Sequence, residues 1–451
     1  MIRKLLVGNF KCIKELEIDL APLTIFVGPN GSGKTSILES LALMSQCFKK
    51  NVPARSNDAI KGELIEYDGL RSILYKGLDD VELCLGVMVD IRTEGIKRAV
   101  KKDLEYFSHL TESILPQDRI SCYAYMDFLR KLSLDEKEIV EIGYVYHESN
   151  SRYLHSFVID KRLTLSFGYD KVTERYISDP PDLMLKSPAF PPTFQVSNYA
   201  SNFSSKLVEA LKNELSKVYY LSTERGSIPW TYATRPEKHS WVGKRGEYSL
   251  EILAELMRPE HDKKRLPYEI LCERFGVKNV WAGWESQHYL TSNYIDLYFN
   301  SAHKLPSLGY GSKQLLTIIT QLAYSEPGSV VLIEEPEISL HPRYQCMLPI
   351  LFGRAVNEGK QILVTTHSSY LPLSLDIVLE GYRLEGQTTR GWGSYEVKLS
   401  TSDIIVYEVT RDEKDGCTKV ERLELDEKGL KKGVPSFVNV ERQILKRIIG
   451  E

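Results

Sequence analysis

Three short runs of consecutive apolar residues stand out along the chain: Leu23-Thr24-Ile25-Phe26-Val27, Val330-Val331-Leu332-Ile333 and Ile362-Leu363-Val364. They do not alternate and are too short for helices, so they read as strands buried on both faces. Just after the first run, Ile37, Leu38, Leu41 and Ala42 recur at helical spacing. Leu315, Leu316, Ile318, Ile319 and Leu322 do the same ahead of the second. Strand-like stretches at 83–89, 139–145 and 163–167 suit an antiparallel sheet. A helical, locally basic segment at 97–132 interrupts them. A proline-rich loop at 170–196 precedes a helix at 203–215 and a strand at 218–222. Residues 223–275 read as a largely helical arm or lid, and a last strand falls at 403–409. The inserted helices are short and lack sustained heptads, which excludes long coiled coils.

The boundaries between these strands and helices carry the chemistry. Between the first apolar run and its helix lies Gly28-Pro29-Asn30-Gly31-Ser32-Gly33-Lys34-Thr35. A strand, a glycine-rich loop and a helix in this order form a phosphate-binding P-loop. Its glycines let backbone N–H groups turn inward, and the helix N-terminus adds partial positive charge. Asn30, Gly31, Ser32, Gly33, Lys34, Thr35 and Ser36 would cradle a nucleotide's phosphates. Lys34 would neutralise β- and γ-phosphate oxygens, and the Thr35 hydroxyl suits Mg²⁺.

The run at 330–333 ends in Glu334-Glu335-Pro336-Glu337. Neighbouring strand residues point to opposite sides, which separates the two carboxylates by role. Glu334 would hold Mg²⁺ and Glu335 would act as general base for the attacking water. A charged strand end facing solvent is the competing reading. The run at 362–364 ends in Thr365-Thr366-His367, and His367 stands where it could reach a γ-phosphate or serve only as a structural histidine. Upstream, Gly309-Tyr310-Gly311-Ser312 is a second glycine-containing loop feeding a helix, with Ser312 as the expected N-cap.

Composition narrows the class. The chain has 451 residues, 42 % hydrophobic and 26 % charged, with a formal net charge of −3. These are the proportions of a globular protein, and no global field draws it to nucleic acid or an anionic membrane. Nucleic acid stays open as a partner, but the charge does not indicate it. No apolar run approaches the roughly 20 residues of a membrane span. The opening Met1-Ile2-Arg3-Lys4 reads as a strand rather than a signal peptide, so the expected location is cytoplasmic. The seven cysteines are scattered without a Cys-x-x-Cys pair, and no zinc site is expected. Outside the phosphate site, no His, Asp or Glu cluster shows metal-ligand spacing.

The order of these motifs resembles ABC-type ATPases of the SMC, RecF and OLD branch. Asn9-Phe10-Lys11 leading to Gly28-Pro29-Asn30-Gly31 is similar to the RecF-type opening. Glu334-Glu335-Pro336-Glu337-Ile338-Ser339-Leu340-His341-Pro342 resembles the OLD-like signature. The resemblance covers about residues 1–90 and 300–375. It implies an α/β ABC-type P-loop NTPase with a mostly parallel core sheet, an antiparallel β subdomain and a helical insertion. Residues 1–95 would form the lobe with the P-loop, and 96–217 the rest of the antiparallel subdomain with its helical insertion. Residues 218–300 would form an arm or lid with return strands. Residues 301–451 would carry the signature loop, the paired glutamates and the switch histidine.

By the same resemblance, Gly309, Gly311 and Ser312 would be a signature loop contacting the γ-phosphate held by a second subunit, and 338–341 would overlap the D-loop. Glu334 stands where many relatives carry Asp. No convincing Q-loop is found, since neither Gln46 nor Gln117 clearly ends a strand at the site. Lys11 would touch phosphates or be a solvated strand-end lysine. Arg225 and Gly243-Lys244-Arg245-Gly246-Glu247 resemble family positions without an assigned chemistry. The expected function is ATP binding and hydrolysis with Mg²⁺, with catalysis by Glu335, His367 and Lys34. Two subunits would close around ATP as a switch, with a role in prokaryotic defence and a separately encoded effector. An OLD nuclease would need a further TOPRIM domain, for which the stretch after His367 is too short. The alternatives are a RecF/SMC-like DNA-maintenance clamp and a nucleotide-binding scaffold with negligible turnover.

Overall fold

The computed structural model describes residues 1–113, 116–132, 138–150, 152–159, 163–170, 172, 175–179, 195–196, 199–226, 239–286, 289–296 and 302–438. Two compact units emerge, and the chain crosses between them several times. One comprises residues 1–20, 36–218 and 414–417, the other residues 21–35, 219–413 and 418–451.

The first unit is built on a seven-stranded sheet. Its strands run in the order Ile13–Asp19, Ile2–Phe10, Leu83–Arg92, Ile139–Glu148, Arg152–Ile159, Leu163–Asp170, Arg175–Asp179. Every neighbouring pair is antiparallel. Alternation of buried and exposed residues over 15–19 is the mark of a sheet with one solvated face. The helical insertion enters between the third and fourth of these strands as Glu94–Ser113 and Pro116–Lys131. Ile96, Ala99, Asp103, Phe107 and Thr111 form the buried stripe of the first helix.

Asp103 is fully buried, and its two oxygens accept five hydrogen bonds. The donors are the Tyr125 and Ser201 hydroxyls, the Asn202 side chain, and the backbone N–H groups of Asn202 and Phe203. It thereby satisfies two N–H groups at the start of the Asn202–Ser216 helix, and the Ser201 N-cap hydroxyl accepts the N–H of Ser204. Two basic residues on this insertion are paired along the helix, Arg98 with Glu94 at 3.1 Å and Lys101 with Glu105 at 4.0 Å.

The second unit carries the six-stranded sheet that builds the phosphate site. Its order is Val218–Leu221, Val330–Glu334, Gln361–Thr366, Leu23–Val27, Ile404–Arg411, Thr418–Arg422. Its middle strands run parallel, and only Thr418–Arg422 is shown antiparallel to its neighbour. Every residue of the three apolar strands is buried, as strands covered on both faces require. This is the expected α/β fold with a mostly parallel core sheet, an antiparallel subdomain and a helical insertion.

The expected arm at 223–275 differs from what forms. Ser249–Leu256 and Asp262–Arg274 are helices, but Leu250, Leu253, Tyr268, Leu271 and Phe275 lie in one core with Leu23, Ile25 and Val331. Their apolar faces need cover, so they form a layer of this unit instead of projecting. Residues 180–194 of the proline-rich loop lie outside the described residues. Among the described residues, no helix is long and apolar enough to cross a membrane.

Candidate functional site

Strand register brings the distant motifs together. Thr366 pairs with Val27, and Glu334 pairs with Thr365. The residues that follow these partners, Gly28, Glu335 and His367, therefore leave the sheet at the same edge. This is the carboxyl edge, where parallel α/β sheets place their ligand sites.

The loop from Gly28 to Thr35 has the shape of an anion cradle. Gly28 is pressed against the neighbouring strand, and a Cβ there would lie 2.1 Å from the Val409 carbonyl oxygen. Gly31 and Gly33 have φ of 71° and 107°, conformations that L side chains rarely adopt. Two residues tie the loop's outer rim. The Arg411 side chain donates to the Gly31 carbonyl, and the Thr418 hydroxyl donates to the Ser32 carbonyl at 3.0 Å. Among the described residues, the buried Ser32 hydroxyl has no hydrogen-bond partner.

Lys34 is buried and its ammonium donates to the carbonyls of Gly28 at 2.9 Å and Pro29 at 2.8 Å. Burial lowers its pKa to about 8, although Glu335 and Glu337 pull the other way. A group held this close to neutrality by desolvation gains a great deal from an incoming phosphate. Asn30 and Thr35 are exposed at the mouth of the cradle. Ser36 belongs to the first unit, where its hydroxyl lies 3.4 Å from Cys12 Sγ.

His367 links the lysine to the acidic strand. Its Nδ1 is 3.4 Å from Lys34 Nζ, and its Nε2 is 2.9 Å from Glu335 Oε1. The hydrogen bond to His367 is the main reason that the Glu335 carboxyl sits below its ordinary pKa. The charges of His367, Lys34 and Arg225 add to this. Glu334 points elsewhere. It is buried, accepts from the Tyr220 hydroxyl at 2.6 Å and lies 3.3 Å from the Thr223 N–H. Strand alternation thus divides the two carboxylates, and Glu335 turns further by leaving the strand with φ of 41°. Thr35 makes no hydrogen bond to Glu334. The donor set offered to a divalent cation, a hydroxyl and a carboxylate, is the hard-oxygen type that Mg²⁺ takes.

Three residues not singled out for this chemistry complete the site. Glu337 is buried, and its Oε1 accepts the N–H groups of His367 at 2.6 Å and Ser368 at 3.2 Å, which fixes the backbone that carries the histidine. Burial raises its pKa. Tyr220 holds Glu334. Arg225 is fully buried and reaches the carbonyls of Ser222, Glu334 and Glu335. The Gly243–Glu247 turn backs that arginine's loop, with Ser222 N–H bonded to Lys244 O and Gly226 N–H to Arg245 O. No sequence spacing would have linked residues 220–226 to residue 334.

Other expectations come out differently. Gly309, not Ser312, caps the Tyr310–Tyr324 helix, because the helix starts three residues earlier than expected. Gly311 packs on the 338–341 turn, where a Cβ would lie 2.3 Å from the Ser339 carbonyl oxygen. Gly309, Gly311 and Ser312 make no hydrogen bond to the cradle of their own chain among the described residues. Lys11 is neither solvated nor free, since it pairs with Glu39 and lies 4.3 Å from the Tyr67 ring centroid. Gln46 is a core residue that bonds Ala59 O and the Leu64 N–H. The side chain of Gln117 lies outside the described residues. A cluster missed in the sequence joins Glu255, Glu260 and His261. Arg258 already sits between its carboxylates, 3.1 Å from Glu255 and 3.9 Å from Glu260.

Residues 1–371 match the AAA ATPase domain family. The chain belongs to that family. The expected likeness to P-loop ATPases of the SMC, RecF and OLD branch holds for this AAA ATPase domain. It is 37 % identical over 73 residues to an OLD nuclease of Thermus scotoductus, covering 16 % of this chain and 13 % of that protein. It is 26 % identical over 199 residues to the DNA replication and repair protein RecF of Geotalea daltonii, covering 42 % and 52 %. The chain thus spans 13 % and 52 % of the length of these two relatives. A solved Smc head domain from Pyrococcus furiosus, with an extended coiled coil and bound to the C-terminal domain of ScpA, aligns over 99 % of both chains at 13 % identity with a TM-score of 0.45.

Proposed function

We propose that this ATPase domain binds ATP with Mg²⁺, hydrolyses it, and uses the cycle to close and reopen a homodimer. The observation that carries the reading is the chain of contacts from the cradle lysine through His367 to Glu335. It joins a phosphate site to a base. Lys34 and the loop N–H groups would hold the β- and γ-phosphates, and Mg²⁺, held by Thr35 and Glu334, would neutralise phosphate charge. Glu335 would take a proton from the water that attacks the γ-phosphorus as the bond to the β-phosphate oxygen breaks and ADP leaves. His367 orients Glu335 and faces the γ-phosphate. The first turn of the Tyr310–Tyr324 helix, exposed at Tyr310, would meet the ATP of a second subunit.

The biological reading is a switch in prokaryotic defence acting on a separately encoded effector. The Glu-Glu-Pro-Glu segment and the similarity to an OLD nuclease support it. A DNA clamp is less favoured, because Arg98 and Lys101 on the insertion are already paired with glutamates. The test is phosphate release by the purified chain and its Lys34→Ala and Glu335→Gln variants, with ATP binding measured in parallel. Turnover lost in Lys34→Ala and reduced to a small residual rate in Glu335→Gln, with binding lost only in Lys34→Ala, is expected. A wild-type chain that binds ATP tightly without releasing phosphate would instead make it a scaffold.

A further inference from the structure

We infer that Arg225 is a positioning residue for hydrolysis, acting through the main chain of Glu335. The inference rests on the reading of Glu335 as the base. Arg225 is fully buried, a costly place for a cation. Its guanidinium bonds three backbone carbonyls. Nη1 reaches Ser222 O at 2.9 Å and Glu334 O, and Nη2 reaches Glu335 O at 2.6 Å. Two nitrogens of one rigid fork thus grip two consecutive carbonyls, a geometry that a lysine ammonium cannot copy.

Those carbonyls flank the point where the chain turns out of the sheet. The Glu335 N–H still donates to Thr365 O at 2.8 Å, so the sheet holds one side of this residue. The other side, its carbonyl, is held by Arg225. Between them Glu335 adopts φ of 41°, which a residue with a side chain keeps only when its surroundings enforce it. This left-handed turn directs the Glu335 carboxylate to His367 instead of along the strand. Burial lowers the arginine's pKa to about 10, so it remains charged at neutral pH. Its charge lies beside Glu334, Glu335 and Glu337, yet its hydrogen bonds go to main chain. The arginine therefore sets where the base stands without itself touching the reacting atoms.

Arg225→Lys keeps the charge but cannot span both carbonyls. It should lower kcat roughly 10- to 100-fold, the effect of a displaced base, and leave KM for ATP within about twofold. The readout that separates positioning from stability is the same substitution in Glu335→Gln. If Arg225 acts through Glu335, the double variant should hydrolyse no more slowly than Glu335→Gln alone. Arg225→Gly supplies a second variant, in which free guanidinium at sub-denaturing concentration should restore part of kcat. Additive losses in the double variant, or a rise in KM that accounts for the defect, would overturn the inference. A wild-type rate in Arg225→Lys would also do so. A Glu335→Gln variant with undiminished hydrolysis would instead remove the base assignment itself, and the inference with it.

Discussion

His367 Nε2 lies 2.9 Å from Oε1 of Glu335, and this bond does more than any other to keep the Glu335 carboxyl below its ordinary pKa. A base must be deprotonated to accept a proton, so the acid limb of the ATPase profile should lie below the ordinary carboxylate range. His367→Gln removes the imidazole hydrogen bond, the largest support of that shift, and should move the limb to higher pH, while lowering the plateau roughly 10- to 100-fold. The check is kcat/KM for ATP across pH 4–8 for both proteins. Superimposable acid limbs would mean that Glu335 is not the titrating base.

Lys34 is also shifted downward, but here the shift favours the neutral form. Its pKa falls from 10.5 to about 8 in the folded protein, so folding releases its proton between those values. In that window the unfolded chain binds more protons, and the stability of the ATP-free protein should rise with pH through this group. ATP needs the ammonium form, so its affinity should weaken above pH 8, approaching roughly tenfold per unit. Calorimetry at pH 7 and 9 in buffers of different ionisation enthalpy should show weaker binding and net proton uptake at the higher pH. Lys34→Met should lose both the pH dependence and most of the affinity. Equal wild-type affinity at the two pH values would contradict the desolvated-lysine account.

Glycines at the two loops should respond differently to one methyl group. At Gly28 a Cβ meets the Val409 carbonyl at 2.1 Å, so Gly28→Ala must displace a core strand at a cost of about 1–3 kcal/mol. Its melting temperature should fall, and ATP binding should fall with it. At Gly309 a Cβ meets nothing within 4 Å, and φ is −55°. Gly309→Ala should keep both its melting temperature and monomer ATP affinity while slowing turnover, if that loop serves a second subunit. Thermal unfolding with and without ATP separates the cases. A Gly309→Ala variant that melts early would show that the loop is needed for the fold.

The parallel strands were legible because a strand buried on both faces cannot carry a polar residue cheaply. Leu23–Val27 and Val330–Glu334 therefore announce themselves, and their register follows from the sheet. The cradle was equally plain, since its glycines and lysine are contiguous. What escaped was everything set by packing across long sequence gaps. Arg225 is a polar residue in a segment without regular periodicity, and only the fold reveals that it grips the carbonyls of Glu334 and Glu335. The helices at 249–274 read as an arm or lid for a related reason. Pattern shows that a face is apolar but not which surface covers it. Ser312 was placed as a cap because helix starts are weakly marked when glycine and tyrosine precede the first apolar turn.

Ser312 offers the sharpest test of the dimer switch. It sits in the first turn of the Tyr310–Tyr324 helix, half-buried, beside an exposed Gly309 and a Tyr310 that is 51 % exposed. On the proposed reading, this turn meets the γ-phosphate that bridges two subunits. Binding linkage then makes the closed dimer depend on intact triphosphate. Glu335→Gln keeps the size of the base but not its basicity, so ATP should persist and the dimer fraction should rise. Ser312→Arg would put a bulky cation into the bridge. Added to Glu335→Gln, it should abolish that rise and leave monomer ATP affinity within about threefold of the parent, since the affected loop lies outside the cradle. Light scattering of wild type and the two variants with ATP-Mg²⁺, ADP-Mg²⁺ or no nucleotide reads the outcome. A Glu335→Gln protein that stays monomeric with saturating ATP, or a wild-type dimer indifferent to nucleotide, would remove the association switch.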